Sequence, residues 1–324
     1  MLNFSRCDRT EMPSYSYFLF DFHYVYIHTT NTSQNIFNNI TFMNLEEEAK
    51  KINRILAAKR EQISLSFIEE DHQYFMKDKF GVITSDYPSV SKVVKNYYEE
   101  FDAQRMSGII SKGDEVKQQE LLKLWKEKGE YAANMGSRVH YFLEKFLIDT
   151  YNNPKEIREP FFECNEEQIK KSEKMILAGE LFVRKMQERN AVLLDTELVL
   201  GDCSLGYVGQ PDKVWLVKNN QGTDYGFVIT DWKTNNPENF EPQRFTKKML
   251  APFDTLDSTA LGHYSIQLPL YGRLLCKMLK GTDFESKKML GAIVVLLKED
   301  ASFEEFRISK EIYSKVWGLD IAKP

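Results

Sequence analysis

Cysteine is scarce in this chain: Cys7, Cys164, Cys203 and Cys276 are the only four in 324 residues. They are scattered, and no two form a C-x-x-C pair. That spacing speaks against a zinc ribbon, an iron–sulfur cluster and a disulfide framework, and the expected setting is a reducing, intracellular compartment. Long apolar runs are also missing. None reaches the roughly 18 residues that span a bilayer, so no membrane partner is expected. The aromatic stretch Tyr15–His28 is interrupted by Asp21 and His23 and has no basic region ahead of it, so a signal peptide is not expected either. There is no excess of positive charge, since the formal net charge is -5. This removes a global basic field but leaves room for a local basic groove. No G-x-x-x-x-G-K-[ST] phosphate loop occurs, which excludes a helicase motor of that type.

What remains is ordinary for a globular protein: 42% hydrophobic and 28% charged residues. Residues 1–42 stand apart, rich in Phe, Tyr, Asn and Thr and without lysine. They read either as an upstream extension, with Met43 as the working start, or as a strand or arm packed on the body. Residues 43–130 read as a strand and helix region, and 131–324 as the core. Short strands and turns are expected over 64–91. Helices follow from Val90 to about Asn190, broken once at Asn152-Asn-Pro-Lys. Next come a strand over 192–200, a hairpin of 206–217 with 226–233, a helix over 264–280, a buried strand over 290–298, an edge strand over 303–308 and a short C-terminal helix. The order predicts an α/β fold with a central mixed sheet flanked by helices and a helical N-terminal region.

The hairpin carries the chemistry. One strand follows Gly206-Tyr-Val-Gly-Gln-Pro-Asp212, and the other runs into Ile229-Thr-Asp-Trp-Lys-Thr234. With the turn centred between Gln221 and Gly222, an antiparallel register sets Asp212 opposite Asp231. Alternation then puts Asp231 and Lys233 on one face. Both faces of the two strands are apolar (Val214, Leu216, Phe227 and Ile229; Trp215, Val217 and Val228), so the sheet is expected to be covered on both sides. Taken singly, Asp212 reads equally as a turn residue, Asp231 as a strand-end acid and Lys233 as a solvated charge. Together they are buried charges that need partners or a metal. Two carboxylates, a backbone carbonyl and His140 would suit magnesium.

His140 and Glu144 lie four apart on one helical face. Alone, they also read as a surface His–Glu pair. Gln267 and Tyr271 share another face. Pro269 costs about 3 kcal/mol inside a helix, so the expected N-cap is Ser265, which places Pro269, Gln267 and Tyr271 in the opening turns. There the helix end would favour phosphate. An amphipathic core helix with a buried Tyr is the alternative.

Four pieces in this order, Gly136…His140…Glu144, Gly209-Gln-Pro-Asp212, Asp231-Trp-Lys233 and Gln267…Tyr271, resemble the PD-(D/E)xK nuclease superfamily. The similarity is to its RecB-like and lambda-exonuclease-like branch, and within that to phage and viral exonucleases. Tyr87-Pro-Ser-Val-Ser…Phe101-Asp and His263-Tyr-Ser-Ile-Gln also look like phage members. The resemblance implies a restriction-endonuclease-like core and a metal-dependent DNA exonuclease serving phage-type recombination, repair or processing. His140, Asp212, Asp231 and the Trp232 carbonyl would hold Mg2+ or Mn2+, and Lys233 would be the catalytic lysine. Gln267 and Tyr271 would hold DNA. Glu144 and, less directly, Glu197 would complete the acidic set. The iron–sulfur cysteines of some RecB-like relatives are missing, which argues against those branches. Beside the expected site cluster Arg244, Lys247, Lys248, Arg273, Lys277 and Lys280, either a solvated face or the wall of a DNA groove. A single-strand annealing or recombination protein is the implied companion, and relatives act as rings or alone. A structure-specific or single-strand endonuclease on the same core, or a silent DNA-binding module, are the other readings.

Overall fold

Each described helix opens on a residue whose side chain can accept from the orphan amides of its first turn. The computed structural model describes residues 44–153 and 155–321. Asn44 caps α1 (Leu45–Gln62), Ser89 caps α2 (Val90–Lys95), Asp102 caps α3 (Ala103–Ser111) and Asp114 caps α4 (Glu115–Tyr151). Asn165 and Gln168 form a reciprocal capping box on α5 (Glu166–Glu188). Thr259 caps α6 (Ala260–Met278) and Ser309 caps α7 (Lys310–Trp317). Asn152, at φ +49°, ends α4 in the left-handed region, as the expected break at 152 requires.

A small antiparallel sheet holds β1 (Ser66–Ile68), β2 (Gln73–Lys77) and β3 (Ile83–Thr84). The central sheet is built from β4 (Val192–Thr196), β7 (Lys213–Lys218), β8 (Tyr225–Lys233), β9 (Met289–Leu297) and β10 (Phe303–Arg307). Its order is β10-β9-β8-β7-β4, antiparallel except for the parallel pair β8–β9. Parallel neighbours need a crossover, and α6 is that crossover. The fold is thus mixed α/β, with a central mixed sheet flanked by helices. β10 lies at the sheet edge, as expected.

Three expectations need correction. The first hairpin strand is not continuous over 206–217. β6 (Tyr207–Gly209) leaves the central sheet to pair with β5 (Leu200–Asp202), and Gln210-Pro-Asp212 turns the chain before β7 begins. The expected strand over 192–200 likewise stops at Thr196, because Glu197 takes φ +45°. The helix containing Pro269 begins at Ala260, not after Ser265. Pro269 therefore sits well inside it, and Gln267 and Tyr271 lie beyond the opening turns, so the phosphate-attracting helix end does not reach them. Burial of Ile266, Leu268, Leu270, Leu274 and Leu275 holds α6 together against the local cost of the proline.

One face of the sheet is covered by α4 and α5. Val139, Leu143, Leu147, Ala178, Phe182 and Val183 pack there with Trp215, Val228, Trp232 and Val295. α6 packs on β8 and β9 and contributes nothing to that cluster. Asn44–Pro324 form one compact unit, and α4 runs unbroken across the expected 130/131 boundary. The 1–42 extension lies outside the described residues. No helix among the described residues is long and apolar enough to cross a membrane.

Candidate metal centre

Register brings the acids together. Lys213 pairs with Thr230 and Val214 with Ile229, so Asp212 stands one position beyond, opposite Asp231. The turn centre and register expected from the sequence are those observed. Asp212 Oδ2 accepts the Trp232 N–H at 3.1 Å, which ties the turn to the end of β8. On the other side, Thr196 pairs with Lys213, and the Glu197 N–H donates to the Asp212 carbonyl at 2.8 Å. Glu197, Asp212 and Asp231 thus form one row across three adjacent chain segments.

A bulge produces that row. Leu193 pairs with Trp215, but Asp195 pairs with Val214, so the register slips by one residue at Leu194. A one-residue slip exchanges the two faces of a strand. Without it, Glu197 would share the face of Leu193, toward α4 and α5. With it, Glu197 turns toward Asp212. Glu197 also adopts a left-handed backbone that costs a non-glycine residue energy. Its carbonyl accepts from Gln210 Nε2 at 3.2 Å. Sequence reasoning ranked this residue last, because alternation carries no sign of a bulge.

α4 supplies the imidazole. His140 Nε2 donates to the Trp232 carbonyl at 3.0 Å. A carbonyl can only accept, so that nitrogen carries the hydrogen. Burial pushes the imidazole down to about 4, with Lys213 and Lys233 acting the same way against the pull of Asp212. Solvent reaches 32% of the side chain, which tempers the shift without reversing it. The neutral ring leaves Nδ1, 3.5 Å from Asp212 Oδ2, without a hydrogen and able to ligate a cation. Ligand atoms of His140, Glu197 and Asp212 all lie within 4.8 Å of one another.

The carboxylates divide in character. Burial would raise Asp212, but Lys213, His140 and Lys233 hold it well below the usual range. Burial, then the Asp212 charge, raises Asp231 to about 8 against the pull of Lys233. Burial and the Asp212 charge likewise raise Glu197 well above its ordinary value. Asp231 is 3% exposed. Lys233 Nζ lies 2.8 Å from its Oδ2, yet neither oxygen of Asp231 has a well-directed hydrogen bond. A buried aspartate crowded by Asp212 and answered by the Lys233 ammonium, beside an imidazole and a third acid, fits a hard divalent cation. The imidazole makes manganese at least as suitable as magnesium.

Lys233 remains an ammonium. Burial alone would lower it, but Asp231 and Asp212 raise it further. Its charge lies 4.4 Å from the Tyr264 ring, and the Tyr264 hydroxyl donates to Asn235 Oδ1 at 3.1 Å. Gln267 Nε2 donates to the Tyr271 hydroxyl at 2.8 Å, so these two are joined as expected. Tyr271 is buried and packs where a Cβ on Gly209 would fall, 2.6 Å from its ring. That close approach is why the Gly-Gln-Pro-Asp turn begins with glycine.

Other expected residues have different partners. Glu144 Oε1 accepts from the Thr196 hydroxyl and from Lys155 Nζ, each at 3.0 Å. It braces β4 beside Glu197. Lys247 pairs with Glu99, Lys248 with Asp257 at 2.8 Å, and Arg244 lies 5.3 Å from the Phe245 ring. Arg273 donates to the carbonyls of Val316 and Leu319. It anchors the end of α7 and is not part of a groove wall.

No protein-family model matches this chain, and a search of curated proteins finds no match.

Proposed function

We propose that the protein is a metal-dependent deoxyribonuclease, most simply an exonuclease, of the PD-(D/E)xK type with a restriction-endonuclease-like core. The observation that carries this reading is the meeting of His140, Glu197 and Asp212 within 4.8 Å, beside the Asp231–Lys233 pair at the carboxyl end of β8. A bound Mg2+ or Mn2+ would polarise a phosphate oxygen and acidify a coordinated water. Asp212, Glu197, His140 and Asp231 would hold it. The Trp232 carbonyl would contribute through its second lone pair, the first being used by His140. Lys233 is charged, so its role is to stabilise the negative charge that develops on the phosphate rather than to accept a proton. Tyr264 and Gln267 would position the strand, and buried Tyr271 would hold Gln267 through its hydroxyl. Recombination, repair or processing of phage or viral DNA is the setting that the resemblance favours.

The test is cleavage of end-labelled DNA with Mg2+ and with EDTA. Wild type should cleave only with the ion, and Lys233→Ala should lose about 10²–10³-fold in rate. Undiminished cleavage by Lys233→Ala would overturn the assignment. A ladder shortening from one end marks exonuclease action, whereas internal products mark an endonuclease.

If Lys247 and Lys248 contact phosphates, replacing both with alanine should reduce the slope of log K against log salt by up to about 1.8. The ion pairs with Glu99 and Asp257 would bring the change below that limit. An unchanged slope in a filter-binding titration removes them from the DNA path.

A further inference from the structure

A lysine that stabilises a developing charge must be held in direction as well as in place. Its ammonium is a point charge on a flexible four-carbon stem. Lys233 Nζ lies 2.8 Å from Asp231 Oδ2, and that ion pair fixes a distance more than a direction. In the nuclease reading Asp231 also serves the cation, so a second support is needed.

Tyr264 supplies it. The Lys233 ammonium lies over the Tyr264 ring, 4.4 Å from its centre. The face of an aromatic ring attracts a cation, more strongly where the cation is withdrawn from solvent, and the Lys233 side chain is only 18% exposed. The ring is itself held. Its backbone belongs to α6, and its hydroxyl donates to Asn235 Oδ1 at 3.1 Å, two residues past Lys233. It packs on the Phe240 ring, 6.1 Å between centres, and buried Phe240 packs in turn on Phe306 of β10 at 5.1 Å. The ring thus joins α6 to the stretch that follows β8, with the ammonium on its face. Leucine would fill much of this space but would offer the ammonium no negative face.

We propose that Tyr264 is a positioning residue for Lys233, with its ring under the ammonium and its hydroxyl held by Asn235. This rests on the nuclease reading, and goes beyond any contact of Tyr264 with the strand. The test is a double-mutant cycle on kcat and KM for end-labelled DNA with Mg2+, using wild type, Tyr264→Phe, Tyr264→Leu, Lys233→Ala and the Lys233→Ala, Tyr264→Leu double variant. Tyr264→Leu, which removes the ring, should lose about tenfold in kcat. Tyr264→Phe, which keeps the ring, should return to within about threefold of wild type. In the Lys233→Ala background Tyr264→Leu should cost nothing further in kcat. An undiminished kcat in Tyr264→Leu, a change confined to KM, a Tyr264→Phe as slow as Tyr264→Leu, or an equal further loss in the Lys233→Ala background would overturn the proposal while leaving the nuclease reading standing. No ion-dependent cleavage by wild type would overturn that reading, and the proposal with it. If Tyr264→Leu does not fold, as judged by circular dichroism, Asn235→Ala takes its place in the cycle, with an expected loss of about threefold in kcat.

Discussion

Asp231→Asn will abolish ion-dependent cleavage and at the same time flatten the pH dependence of stability in the ion-free protein. The activity loss follows from removing a buried carboxylate beside the ion and Lys233, and should be about 10³-fold. The stability effect follows from the raised Asp231 carboxyl. Its ordinary value is 3.8 and its folded value about 8. Between these limits the native state binds more protons than the unfolded chain, so stability falls as pH rises. The contribution is complete below about pH 4 and is lost as pH passes through about 8. Glu197 is raised too and adds a slope of the same sign. Asp212, held low, acts oppositely and only below its ordinary range, where stability falls as pH falls. His140, held down at about 4 against an ordinary 6.5, opposes this slope below about pH 6.5, so thermal melts in EDTA from pH 6.5 to pH 8 should drop steeply for wild type and less steeply for Asp231→Asn. The asparagine carbonyl can still accept from Lys233, so the fold should survive. Equal slopes for the two proteins would show that Asp231 is ionised without the ion.

Glu197→Gln should cost about 10²–10³-fold in cleavage rate and weaken Mn2+ binding, whereas Glu144→Gln should cost about tenfold in rate. The two acids are close in the structure but differ in what they face. Glu197 has a ligand atom within 4.8 Å of those of His140 and Asp212. Glu144 is engaged by Thr196 and Lys155 and meets the centre only through them. Its replacement should show mainly in stability, by about 1–3 kcal/mol, because a neutral amide oxygen accepts more weakly from Thr196 and the Lys155 ammonium than a carboxylate does. Side-by-side kinetics, ion titration and melting curves separate the two roles. A larger rate loss in Glu144→Gln than in Glu197→Gln would reverse the assignment.

The carboxyl end of β8 is a natural place for such a centre. α6 crosses from β8 to β9, and crevices for ligands open where parallel strands end. Asp231 and Lys233 face α6, while Trp232 between them faces α4 and α5 and anchors the strand end in the core. Alternation thus lets one short sequence both fill the core and arm the site.

Much of this was legible in the sequence because it depends on local rules. Alternating apolar residues around a polar turn set the β7–β8 register, and with it the meeting of Asp212 and Asp231. Spacing by four set Gln267 against Tyr271, whereas His140 and Glu144, on the same helix, took different partners. Apolar periodicity marked 90–190 as helical, but the fold divides it into α2, α3, α4 and α5 rather than breaking it once. The start of α6 was misplaced too, because it was inferred from the cost of Pro269, and burial outweighs that cost. What only the tertiary structure decided lies in relations that leave no local periodicity. The bulge at Leu194 brought Glu197 into the row of acids, since a one-residue slip changes which face a side chain takes. The packing of α4 gave His140 the Trp232 carbonyl and Glu144 the hydroxyl of Thr196. Lys213 followed the same division. The sequence marks it only as a charge after Asp212, and the fold alone buries that charge against Trp232.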